Sequence, residues 1–144
     1  MSDKFIVGFD GSEPAQRALE FATGRAAAQG GSVLIAHVLE WSPYSFLTPN
    51  ELEERHARRK DEMARAESAI LTPAKKQVAA AGIEVETVIR YGHIAETLSK
   101  LAKTEGATQL VLGRDGQSSF GSRVFGSVAG SLVQISPVPC TIVP

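Results

Sequence analysis

Residues 113–127, Gly-Arg-Asp-Gly-Gln-Ser-Ser-Phe-Gly-Ser-Arg-Val-Phe-Gly-Ser, carry the richest chemistry in the chain. Gly113, Gly116 and Gly126 let the backbone turn and let a ligand approach without a Cβ in the way. Successive main-chain N–H groups in such a stretch form an anion nest. The segment opens after an apolar run and closes where a helical pattern begins, and the free N–H groups of a helix start attract phosphate. Ser127 adds a hydroxyl donor at that start. The chemistry implied is phosphate binding by backbone donors. Asp10 in the turn Asp10-Gly11-Ser12 is the second candidate, read either as a ligand contact or as a turn residue that caps the following helix.

Other chemistries find little support. No G-x-x-x-x-G-K-[ST] loop is present, which argues against a P-loop NTPase, and no G-x-S-x-G elbow is present for a serine hydrolase. His37, His56 and His93 share no spacing with cysteines or carboxylates that would build a transition-metal site. His37 falls inside a strand and reads as a core histidine, His56 as a packed or half-exposed helix residue, His93 as a helix cap. Cys140 is the only cysteine, so no internal disulfide forms, and it reads as a small buried hydrophobe. Arg55, Arg58, Arg59 and Lys60 are balanced by neighbouring acids and read as a solvated helix face. Trp41, Tyr44 and Phe46 in one loop read equally as a core plug or as a lid.

Positioning these residues requires alternating strands and helices. Lys4–Phe9, Ser32–Leu39, Thr108–Leu112 and Cys140–Val143 read as short buried strands. Glu84–Arg90 alternates, with Val85, Thr87 and Ile89 on one face, and reads as an edge strand. Ser12 caps a helix that carries Ala15, Leu19 and Ala22 and stops at Gly30-Gly31. Thr48-Pro49-Asn50-Glu51 reads as a capping box. The charged helix behind it sets Leu52, His56, Met63, Ala66 and Ile70 on one face, and Thr72-Pro73 should kink or break it before it resumes to Ala81 and ends at Gly82. Ile94, Leu98, Leu101 and Ala102 mark another helix, and Val128, Leu132 and Ile135 the last. This order predicts an α/β fold: one domain over 1–144, a doubly wound, Rossmann-like, five-stranded parallel sheet with helices on both faces. Ligands of such sheets sit beyond the carboxyl ends of the strands at the topological switch point. Asp10 follows the first strand and Gly113 ends the fourth, so both line one crevice if those strands are neighbours.

The chain has 144 residues, 43% apolar and 22% charged, enough for a real core in a globular protein. A net charge of −1 with mixed signs offers no footprint for nucleic acid or an anionic membrane. Apolar runs are too short to span a bilayer, and Met1-Ser2-Asp3-Lys4 does not begin a secretory leader, so a cytoplasmic protein is expected.

The spacing Gly, two residues, Gly, nine residues, Gly, then Ser or Thr resembles the ATP-binding signature of the universal stress protein family. Gly113, Gly116, Gly126 and Ser127 fill every position of it. FIVGFDGSE, IAHVL and PVPCTIVP also resemble that family's first, second and closing strands, and the likeness is weakest over residues 40–75. The resemblance implies an ATP-binding stress-response sensor or regulator, not an enzyme, with Mg²⁺ accompanying the nucleotide. AMP or cyclic AMP as ligand, or weak ATPase activity, is the alternative. It further implies that Asp10 and the backbone of Val38 meet the adenine end. Leu112, Gly113 and Arg114 would follow the ribose and first phosphates, and Gly116, Gly126, Ser127 and Val128 would hold the phosphates. Asp115 departs from the usual pattern, since a carboxylate there repels phosphate unless Mg²⁺ bridges it or it points away. Phe120 and Phe125 make the loop more apolar than usual. The short apolar strand Cys140–Val143, flanked by Pro137, Pro139 and Pro144, predicts a homodimer by antiparallel pairing of this edge, with each nucleotide site inside one subunit.

Overall fold

The apolar run Phe5-Ile6-Val7 lies at the centre of a five-stranded, all-parallel sheet. In a computed structural model, which describes residues 3–40, 48–115 and 127–144, the strands are β1 (Lys4–Gly8), β2 (Ser32–Leu39), β3 (Val85–Tyr91), β4 (Gln109–Gly113) and β5 (Cys140–Val143). Their spatial order is β3-β2-β1-β4-β5. The expected edge strand is β3, and β5 forms the other edge. The helices are α1 (Glu13–Gln29), α2 (Pro49–Arg65), α3 (Thr72–Ala80), α4 (Ile94–Thr104) and α5 (Ser127–Ile135).

Strand alternation divides the core between the two faces. Phe5, Val7, Val33, Ile35 and Val111 pack with Ala15, Leu19 and Ala22 of α1 and Ala74 and Val78 of α3. Ile6, Leu34, Ala36, Leu110 and Leu112 pack with Leu98 and Leu101 of α4 and Ala129 and Leu132 of α5. The sheet is therefore doubly wound, as the sequence predicts. Helix α1 starts at the Ser12 cap, whose hydroxyl accepts from Ala15 N–H at 3.3 Å, and ends at Gly30 with φ 72°. The Thr48/Glu51 capping box forms as expected.

One helical expectation is met in modified form and one needs correction. At Thr72-Pro73 the helix is interrupted in its regular spacing rather than broken, and it resumes as expected. Residues Ala66–Leu71 widen into a π-helical segment, Thr72 N–H bonds to the Glu67 carbonyl, and α3 resumes with Pro73 in its first turn. Proline lacks an N–H that the first turn leaves unpaired anyway, so it is tolerated there. The α2 stripe is buried only at its far end. Ala66 is buried and Ile70 partly so, but His56 is exposed and Leu52 and Met63 are 44% and 40% exposed. No residue of α2 itself is buried. The helix is fastened to the end of β3 through Tyr91, whose hydroxyl donates to the Arg59 carbonyl at 3.0 Å and whose ring lies 5.2 Å from the Arg59 guanidinium. Burial, then the Glu62 carboxylate, raise the Tyr91 pKa above its ordinary value, while Arg59 lowers it.

Three smaller differences follow from exposure. Ile135, placed on the apolar stripe of the last helix, is exposed at the end of α5. Cys140 is half-buried rather than buried because β5 is an edge. His93 occupies the N-cap of α4, but its side chain makes no capping hydrogen bond.

Candidate functional site

β1 pairs with β2 on one side and β4 on the other. From β1 the chain winds through α1 to β2, and from β4 through α5 to β5, with α1 and α5 on opposite faces. The topological switch point is therefore between β1 and β4. The crevice there is lined by the ends of β1, β2 and β4 and by the start of α1.

Asp10 follows β1 directly. One oxygen of its carboxylate, Oδ1, accepts from Ser12 N–H at 2.9 Å and also from the Ser12 hydroxyl. Ser12 in turn serves as the α1 cap, so a single chain of bonds fixes Asp10, the turn and the helix start. Gly11 between them has φ 81°, which glycine alone adopts without strain. Asp10 thus fulfils the turn-residue reading and stands at the crevice as well.

Gly113 ends β4 and faces α1. A Cβ built there would lie 2.7 Å from Pro14 C and Cβ and 2.8 Å from Pro14 O. The sequence reading assigned Gly113 to ligand approach. The geometry adds a second requirement, the close packing of β4 against the first turn of α1, which the sequence did not signal. Leu112, one residue earlier on β4, is buried in the core with α4 and α5. Arg114 N–H donates to the Val143 carbonyl at 2.8 Å, tying the site to the last strand. The Arg114 guanidinium lies 3.6 Å from the Asp115 carboxylate, so the charge that would repel phosphate is paired with a cation. Arg17 on α1 donates to the oxygen of Pro144 at 2.9 Å.

Val38 lies near the end of β2, half-exposed, beside the buried His37. Ser127 is the first residue of α5 and is exposed, and Val128 packs partly into the core beside α4. Asp10, Val38, Leu112, Gly113 and Arg114 thus gather at the carboxyl edge of the three central strands. Gly116 and Gly126, with Phe120, Phe125 and the loop aromatics Trp41, Tyr44 and Phe46, lie outside the described residues. What sequence reasoning passed over is that Ser12, seen only as a cap, also bonds the Asp10 carboxylate. Its spacing of two from Asp10 is the signal of an Asx turn.

The fold defines the class: a doubly wound α/β protein with an open parallel sheet, in which ligands characteristically sit beyond the carboxyl ends of the strands at the switch point. A family model described as the Universal stress protein family matches residues 1–144. The universal stress protein YxiE of Bacillus subtilis is 30% identical over 147 residues, covering 99% of each chain. Universal stress protein UspA from Lactobacillus plantarum superposes with a TM-score of 0.88 at 24% identity, covering 99% of this chain and 97% of its own. A universal stress protein crystallised in complex with cAMP superposes with a TM-score of 0.71 at 26% identity, covering 99% and 96%. The chain belongs to the universal stress protein family.

Proposed function

We propose that this chain binds an adenine nucleotide, ATP with Mg²⁺, in the crevice between β1 and β4 and acts as a stress-response sensor or regulator. The observation that carries this reading is the convergence of Asp10, Val38, Gly113 and Arg114 at one switch point. Phosphate would lie toward the Gly113–Ser127 loop, on Gly116, Gly126, Ser127 and Val128, and adenine toward Asp10 and Val38. Among the described residues no group of three or more His, Cys, Asp or Glu converges on a metal position, so Mg²⁺ would arrive with the phosphates. Asp10 Oδ1 accepts two bonds from Ser12, which commits that oxygen to the turn and the helix cap. We therefore assign binding rather than catalysis. The cAMP complex of a relative makes cyclic AMP, with AMP, the alternative ligand.

Calorimetry with ATP, AMP, cyclic AMP and GTP tests the reading, with adenine nucleotides expected to bind more tightly than GTP. No heat with any of them at millimolar concentration would sink it. Gly126→Val, in the loop expected to wrap phosphate, should abolish nucleotide binding while the fold persists. Unchanged affinity would locate the phosphate elsewhere.

The reading extends to one nucleotide-binding domain over 1–144 and to assembly. The β4–β5 ladder uses Leu110 N–H to the Pro139 carbonyl and Arg114 N–H to the Val143 carbonyl. By alternation the N–H and C=O groups of Cys140 and Ile142 face away from the sheet, and a second copy in antiparallel pairing would satisfy them. No helix of the described residues is long and apolar enough to cross a membrane. We place the homodimer in the cytoplasm.

A further inference from the structure

The β1–β2 ladder stops one rung before its geometry requires. It runs from Lys4↔Ser32 to Gly8↔Ala36. Phe9 N–H still donates to the Ala36 carbonyl at 2.9 Å. In a parallel ladder the next bond runs from Val38 N–H to the Phe9 carbonyl. That carbonyl instead meets Nδ1 of His37 at 2.7 Å. A carbonyl only accepts, so Nδ1 carries the proton. His37 is 7% exposed, the one buried polar side chain among the described residues, and its ring closes over the carbonyl just before Asp10.

The direction of Val38 follows from its neighbours. Gly92 N–H donates to the Leu39 carbonyl and Val33 N–H to the Glu84 carbonyl, so the odd residues of β2 serve β3. Ser32 N–H donates to the Asp3 carbonyl, so the even residues serve β1. Val38 therefore turns its N–H and C=O toward the β1 side, past the last rung, where the crevice lies.

We propose that His37 is a positioning residue that captures the Phe9 carbonyl, ends the ladder and leaves the Val38 main chain open to a purine edge. This rests on the adenine-nucleotide reading above. A donor and an acceptor side by side on Val38 match an adenine edge, which sets the N6 amino donor beside an acceptor nitrogen. They mismatch guanine, which offers the O6 acceptor at that position. An apolar residue at 37 would leave the Phe9 carbonyl without its imidazole partner, and the Val38 N–H would close onto it. His37 thus selects adenine without touching it.

Amide hydrogen exchange on the ¹⁵N-labelled full chain without nucleotide tests the ladder. The Val38 amide should exchange freely in the wild type and slow by about tenfold or more in His37→Leu. His37→Asn, whose Nδ2 reaches the same carbonyl, should keep it open. A protected Val38 amide in the wild type, or a wild-type imidazole protonated at Nε2 and bare at Nδ1 by long-range ¹H–¹⁵N correlation, overturns the proposal even if the leucine variant fails to fold. With nucleotide, His37→Leu should lose about tenfold in ATP affinity relative to GTP, and His37→Asn should restore the ratio. Equal loss for both nucleotides marks a merely structural role and also overturns it. An open Val38 amide in a wild type that binds no nucleotide refutes the adenine reading. A closed Val38 amide in a wild type that binds ATP refutes the role of His37.

Discussion

Replacing Gly113 with alanine separates two reasons for a glycine at the end of β4. The new Cβ would sit 2.7 Å from two carbon atoms of Pro14 and 2.8 Å from its carbonyl oxygen. Carbon atoms in contact prefer about 3.5–4.0 Å, so the overlap is about 1 Å. Two of the three atoms are main chain, and no rotamer relieves the clash. Either β4 or the start of α1 must move, and both are packed into the same core face. Overpacking of this kind costs about 1–3 kcal/mol. Alanine also stiffens the unfolded chain, which offsets about 0.4–1 kcal/mol. Backbone strain adds nothing, because positive φ among the described glycines is confined to Gly11, Gly30, Gly82, Gly92 and Gly106. The net expectation is a loss of roughly 1–2 kcal/mol, or a Tm lower by roughly 3–8 °C, without any nucleotide present. Gly24→Ala is the control, since it lies within α1 and nothing stands within 4 Å of its new Cβ. It should gain about 0.5–1 kcal/mol. Calorimetric melting of the two variants reads both signs. A Gly113→Ala protein as stable as the wild type would refute the packing role. If that protein also failed to bind nucleotide, Gly113 would serve the ligand alone.

Ser12→Ala removes both the α1 cap and the bonds that hold Asp10. It should cost about 1 kcal/mol in urea unfolding and also weaken nucleotide binding. An unchanged midpoint would show that the cap contributes nothing. Tyr91 stays protonated in the folded chain above its ordinary pKa of 10.0. Its contribution is full below pH 10 and is lost as pH rises through the folded value. Ultraviolet titration should therefore show one of the two tyrosines ionising late, and Tyr91→Phe should abolish that late step. A late step that survives the substitution rules out Tyr91 as its source. Ile142→Pro deletes an N–H that faces away from β4, so light scattering should report a monomer with the internal ladder kept. A dimer that persists in the folded variant would exclude pairing through β5.

Sequence alone determined the order of elements, because each is signalled locally. Buried strands show as apolar runs at Phe5–Val7, Ser32–Leu39 and Gln109–Leu112. Helix starts show as Ser12 and Thr48, and helix ends as Gly30 and Gly82. The glycine spacing of Gly113, Gly116, Gly126 and Ser127 disclosed the family. It also placed Asp10 and Gly113 at strand ends, which the sheet order brings to one crevice.

What remained to the tertiary structure concerns contacts between segments distant in sequence. Helical spacing put Leu52, His56 and Met63 on one face, but periodicity shows only which residues share a face. No residue of α2 is buried, and Tyr91 at the end of β3 meets it at Arg59. The proline at 73 signalled a kink or break, and only the structure shows its form, a turn widened to π spacing before the helix resumes. Gly113 looked like a ligand glycine because the motif is local, while its clash partner Pro14 is 99 residues away. His37 looked like an ordinary core histidine because its bond to Phe9 spans two strands. Only the register of those strands shows that this bond meets the carbonyl at which the next rung of the ladder would fall, and that alternation turns the Val38 main chain toward β1.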